Sequence, residues 1–121
     1  MKHFVVNDLA YRVYDDPMTF NEAKGLCVDG WDFPTVTQLQ EMGETYYVKG
    51  NKSYLHGRHN SPKLYWLDGV PKNAFGKRRN IGDTEYDRSA PVSGLYNFDL
   101  SCCFHMNYHS NKSYLILVKK I

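Results

Sequence analysis

The sequence predicts an α+β domain in which two short helices pack on an antiparallel sheet and a long irregular loop region interrupts the strands. Three observations predict it. Two capped apolar stripes of helical spacing follow a first strand, residues 96 to 108 alternate apolar and polar with period two, and residues 69 to 94 hold no sustained period. A chain of 121 residues is long enough for one core and too short for two, so residues 1 to 121 read as a single domain.

The first strand runs from Phe4 to Tyr14, β-branched and aromatic, with Leu9, Tyr11 and Val13 alternating against Ala10, Arg12 and Tyr14. A helix of about two turns follows. Thr19 and Glu22 have the spacing of a capping box, Phe20, Ala23, Leu26 and Cys27 recur on one face, and Gly30 lies beyond the end. Cys27 on that stripe reads as a small core hydrophobe rather than a reactive thiol. The second helix starts after Pro34, with Thr35 as N-cap, Val36, Leu39 and Met42 on one side, and Gly43 as the stop. A short strand at Leu64 to Leu67 stands between turn-rich segments.

Residues 69 to 94 are polar and rich in Gly and Pro, and a loop of that length inside a small domain is usually either functional or mobile. Within it lie Lys77, Arg78 and Arg79. Arginine forks hold carboxylate or phosphate bidentately, and with Tyr65 and Trp66 just upstream the set has the residue types of a partner-binding hot spot.

At even positions Tyr96, Phe98, Leu100, Cys102, Phe104, Met106 and Tyr108 are apolar or aromatic, while the odd positions from Asn97 to His109 are nearly all polar. This is one long strand, or a hairpin turning near Asp99 to Ser101, and a last strand spans Tyr114 to Val118. Adjacent Cys102 and Cys103 then point to opposite faces. Cys103, His105 and His109 share a face and are zinc-ligand types, but residues 103 and 105 are about 7 Å apart along a strand and 109 about 20 Å from 103. Without paired C-x-x-C knuckles no metal is expected, and the set reads as the polar side of a sheet. A Cys103 nucleophile with His105 as base is the competing reading, for which no orienting acid can be named. His56 and His59 read as solvated loop histidines.

Composition excludes further classes. A formal charge of +2 is too mild for a phosphate-tracking surface, so nucleic acid is not the expected partner. Ten tyrosines favour amphipathic surfaces and grooves alongside the core. No apolar run suits a signal segment or a membrane span, and three cysteines, an odd number, fit reduced thiols and a cytoplasmic setting. The repeated "NKSYL" at 51 to 55 and 111 to 115 reads as two turn-to-strand entries, too short to indicate duplication.

Five segments, "MTFNEAKGLC" (18 to 27), "GWDFPTVTQLQEM" (30 to 42), "LYWLDG" (64 to 69), "YNFDL" (96 to 100) and "SYLILVKK" (113 to 120), resemble in order the motifs of the Lcl C-terminal-domain family of bacterial and phage proteins. That resemblance implies a C-type-lectin-like fold. The chain departs from the pattern where the family's closing cysteine matches Val118 or a neighbour, where Gln38 replaces an acidic residue, and where no E-P-N or W-N-D calcium tripeptide stands. It therefore implies neither the Cys27 disulfide nor calcium-dependent sugar binding.

The expectation is a small non-enzymatic binding module without cofactor, phage- or bacterium-encoded, which takes a protein partner and in one version inhibits a host protein. Tyr65 and Trp66 would anchor that partner, with Lys77, Arg78 and Arg79 supplying charge. Two readings compete with it: a glycan-binding tail adhesin module, and a metal or thiol enzyme using Cys103 and His105. No heptad run predicts an oligomer.

Overall fold

The computed structural model describes residues 1–48, 55–57, 62–69, 91–99 and 102–121. The N-terminal segment expected as one strand is a hairpin, β1 (Lys2–Val6) and β2 (Leu9–Val13), paired antiparallel from Lys2↔Val13 to Val6↔Leu9. Asn7 and Asp8 turn the chain with φ of 51° and 64°. Two consecutive left-handed residues match the twist of the flanking strands, and Asn and Asp are the side-chain-bearing types that enter this region most readily.

The first helix follows the sequence closely. Strand β3 (Met18–Thr19) leads into α1 (Phe20–Gly25), where the Glu22 amide donates to Thr19 Oγ1 at 3.3 Å and the Thr19 amide donates to Glu22 Oε1 at 3.0 Å. Helix α2 (Val36–Val48) has a second reciprocal cap. The Gln38 amide donates to Thr35 Oγ1 at 3.1 Å and the Thr35 amide to Gln38 Oε1 at 2.9 Å, so the glutamine that departs from the family motif keeps the capping chemistry. Gly43 does not stop this helix, which runs on to Val48. Its missing side chain makes room instead: a Cβ there would lie 2.9 and 3.1 Å from two ring carbons of Phe98.

Strands β4 (Leu64–Trp66), β5 (Val92–Asn97) and β6 (Cys102–Tyr108) form one antiparallel sheet in the order β4-β5-β6, with a turn at Phe98 and Asp99, which selects the hairpin over the single long strand. Strand β7 (Lys112–Ser113) pairs with β3. The closing strand β8 (Ile116–Lys120), shifted two residues from the expected Tyr114 to Val118, joins β1 and β2 in a second three-stranded sheet. Tyr114 links the two sheets, its carbonyl accepting from the Trp66 amide and its amide donating to the Leu64 carbonyl, both at 2.9 Å.

Two apolar clusters result. One gathers Tyr11, Val13, Leu39, Met42, Tyr65, Tyr96 and Phe98 with Ile116 and Val118, while the other gathers Phe20, Ala23, Phe33, Trp66, Leu95, Leu115 and Leu117. Tyr65 and Trp66 are neighbours on β4 and so point to opposite faces. Each enters a different cluster. The same alternation sends Leu95 and Tyr96 of β5 into separate clusters, so this central strand is buried on both faces from Ser93 to Asn97. The period-two pattern around Tyr96 therefore separates two interiors here, not core from solvent, and Asn97 at 3% exposure is as buried as its apolar neighbours. Its Oδ1 accepts from the Asp99 amide at 2.9 Å and steadies the turn.

Candidate functional site

Tyr65 and Trp66 were the expected partner anchors, and their burial corrects that expectation. They are 1% and 0% exposed, the Tyr65 hydroxyl donates to the Leu55 carbonyl at 3.0 Å, and the Trp66 indole Nε1 donates to the Met18 carbonyl at 2.9 Å. No face of either ring is left for a partner. Both satisfy their polar atom inside the fold, as buried tyrosine and tryptophan require. Lys77, Arg78 and Arg79 lie outside the described residues, as does most of the 69 to 94 segment.

The two roots of that segment are described, and they meet. The Gly94 amide donates to the Gly69 carbonyl at 2.8 Å, and the Leu67 amide donates to the Gly94 carbonyl at 3.0 Å. Gly69 has a φ of 79°, a conformation that admits glycine without strain. Pro91 is tied at the second root, its carbonyl accepting from the His109 amide at 3.0 Å. Beside it lies an open depression of about 430 Å³, lined by Thr19, Asn21, Pro91, Tyr108, His109 and Ser110.

His109 supplies the imidazole of this depression. Its ring stacks on Phe20 with centroids 3.9 Å apart and 11° between planes, and Nε2 is 2.7 Å from Ser93 Oγ. Burial holds its pKa below the ordinary histidine value; a hydrogen bond to the Val92 backbone opposes this, and Lys24 adds to the lowering. A serine hydroxyl on an imidazole is the core of a nucleophilic dyad. Here Ser93 is 1% exposed, so no substrate carbonyl can reach it, and the pair locks the start of β5 to the end of β6.

A pH prediction follows from this placement. Because the folded pKa of His109 lies below its unfolded value of 6.5, the unfolded chain takes up a proton that the folded chain refuses as pH falls through 6.5. The stability due to neutral His109 is complete above pH 6.5 and declines below it toward the folded pKa. Urea midpoints measured at pH 7.5 and 5.5 are expected to converge between wild type and His109→Gln at the lower pH. A constant gap would contradict the assignment.

The other candidate residues do not assemble. His105 is half-buried on β6, with Nδ1 buried and unpaired, and the side chain of Cys103 lies outside the described residues. His109 leaves the strand and turns onto Phe20 instead of following the face that residues 103 and 105 share. His56 is not a free loop histidine, since its Nε2 is 3.5 Å from Asp99 Oδ1 and its ring lies near Phe98; His59 is outside the described residues. Cys27 is half-buried, with Sγ 3.7 Å from the Ala23 carbonyl, and burial, aided by Asp32 and Asp68, raises its thiol pKa. That is the reverse of what a reactive cysteine needs. Among the described residues no three His, Cys, Asp or Glu are placed to hold a metal ion, and no helix is long and apolar enough to cross a membrane.

The Ser93 and His109 pair was not foreseen from sequence. Sixteen residues separate them, and only the Val92↔Tyr108 register at the end of the β5 and β6 ladder brings them together.

No protein-family model matches the chain, and no curated protein does. Among solved structures it is similar to that of the EPNH mutant of CEL-I, a protein of C-type-lectin-like fold, at 12% identity and a TM-score of 0.52, over 96% of this chain and 92% of that one. At such identity the likeness concerns fold alone: a small α+β chain with few helices and antiparallel sheets, consistent with the C-type-lectin-like class. The narrower resemblance to the Lcl family rests on the sequence motifs quoted above.

Proposed function

We propose that this domain is a non-enzymatic binding module that takes a protein partner through residues 69 to 94, with Lys77, Arg78 and Arg79 supplying positive charge. The observation that carries the reading is the closure of both loop roots. The Gly69 and Gly94 hydrogen bond holds the two ends of a long polar segment side by side on a sheet buried on both faces, which is how a rigid scaffold presents a recognition loop. Tyr65 and Trp66 serve this reading from inside the fold, packing β4 next to the Gly69 root, and the partner's contacts fall to the segment that follows and to the depression beside Pro91.

Affinity capture with the tagged chain and an Arg78→Ala/Arg79→Ala control tests the proposal. One protein retained by the wild type and bound at least roughly tenfold more weakly by the folded double variant is the expected result, since arginines at an interface centre contribute on that scale. Equal affinity would remove the basic run from the site. Retention of a polysaccharide in place of a protein would favour the glycan reading, to which Asn21, Thr19, Ser110 and the Tyr108 ring in the depression are chemically suited.

A further inference from the structure

The face of the β1-β2-β8 sheet turned away from Tyr11 and Val13 is covered by the second cluster at Leu117, and beyond that residue it carries a group of side chains that the loop reading does not use. Cross-strand pairing sets Val5 opposite Ala10 and Ala10 opposite Lys119, so these three project to one side together with Arg12, two residues along β2 from Ala10. Val5 is 64% exposed. At the edge of this face the Arg12 guanidinium carbon lies 4.0 Å from the centroid of the half-buried Trp31 ring, and Lys119 Nζ lies 5.8 Å from the same centroid. Gly30 lets the Lys119 stem approach, since a Cβ there would be 3.2 Å from its Cε.

Two cations are thus gathered on one indole. Among the described residues neither makes an ion pair, and Arg12 Nε is buried without a hydrogen-bond partner. Asp32, next to the tryptophan in sequence, has its Oδ1 committed to the Phe33 amide at 2.7 Å. The indole face attracts each cation, and the Asp32 carboxylate, which keeps its charge, makes an ion pair with neither among the described residues. An incoming carboxylate would meet two positive groups already positioned.

We propose that Arg12, Lys119 and Trp31, with Val5 and Ala10 as an apolar flank, form a docking surface for an acidic protein segment whose carboxylates pair with these two cations. Charge complementarity selects the occupant. A nucleic acid would require a row of phosphate contacts, for which a net charge of +2 and a two-cation site are too little. The exposed valine beside the cations suits a peptide carrying apolar side chains, and tryptophan and arginine are among the residue types enriched at the energetic centres of protein interfaces. The surface stands on strands that do not bear the 69 to 94 loop, so it holds or fails separately from the function proposed above.

The test is an amide and indole NMR titration of the ¹⁵N-labelled full chain with a hexaglutamate peptide at low salt. Saturable shifts of the Trp31 indole N–H are expected, with the Trp66 indole unmoved because it is buried and bonded to Met18. Read at the Trp31 indole, the Arg12→Gln/Lys119→Gln double variant should bind at least tenfold more weakly and Lys119→Gln alone about threefold. Lys119→Gln keeps the test decisive if loss of Arg12 unfolds the chain. An unmoved Trp31 signal at millimolar peptide, undiminished binding by Lys119→Gln, or tighter binding of inorganic phosphate or single-stranded DNA than of the peptide would overturn the proposal.

Discussion

Trp66→Ala is expected to lower the unfolding free energy by about 4 kcal/mol, a large share of the roughly 5–15 kcal/mol that holds a domain of this size together. The indole is fully buried and meets Phe20 edge-on at 5.5 Å, and it sits in the cluster that joins α1 to β5 and β8. Truncation opens a cavity in that cluster and leaves the Met18 carbonyl without its donor. Trp66→Phe retains most of the buried ring and should cost about half as much. Urea denaturation followed by far-ultraviolet circular dichroism distinguishes the cases. A Trp66→Ala protein within about 1 kcal/mol of wild type would return this residue to the surface, and with it the idea that it touches a partner.

Gly43→Leu should destabilise by about 2 kcal/mol even though it places a better helix former in α2. Leucine in place of glycine contributes about 1 kcal/mol of helix propensity. Against that, the Phe98 ring already occupies the space of the new Cβ. It has little room to yield, being 6% exposed and held edge-on by Tyr65 at 5.3 Å and Tyr96 at 4.8 Å. Overpacking costs typically about 1–3 kcal/mol, and a side chain whose Cβ itself meets a ring falls at the upper end, which leaves about 2 kcal/mol after the propensity gain. Combining the change with Phe98→Leu, which frees volume opposite residue 43, is expected to recover part of the loss. A double-mutant cycle from thermal unfolding would show that coupling, and additive effects or a stabilised single variant would exclude the contact as the reason for glycine.

The same glycine shows where local reading ends. Placed after an apolar stripe, Gly43 carried the ordinary signal of a helix terminus, and nothing within ten residues indicates that an aromatic ring 55 positions later needs its space. At Asn7 and Asp8 the signal was present and short-range. Two turn-forming residues between apolar alternations mark a hairpin, and the strand expected across residues 4 to 14 passed over them. The capping boxes at Thr19 and Thr35 were legible because every atom they use lies within four residues.

The candidate site divides in the same way. An irregular segment from 69 to 94 could be read from composition, though its residues 70 to 90 lie outside the described residues and Val92 to Gly94 belong to β5. The burial of Tyr65 and Trp66 could not, since a Tyr-Trp pair has the residue types of both a hot spot and a core. Which one applies depends on what covers the two faces of β4. Local chemistry thus determined by itself the α+β class and the helix starts. Tertiary structure alone decided that β5 is buried on both faces, that Ser93 meets His109, and that Arg12 and Lys119 converge on Trp31. Those are relations between residues far apart in the chain, where a side chain's partner is set by strand register and sheet order and leaves no trace in its immediate neighbours.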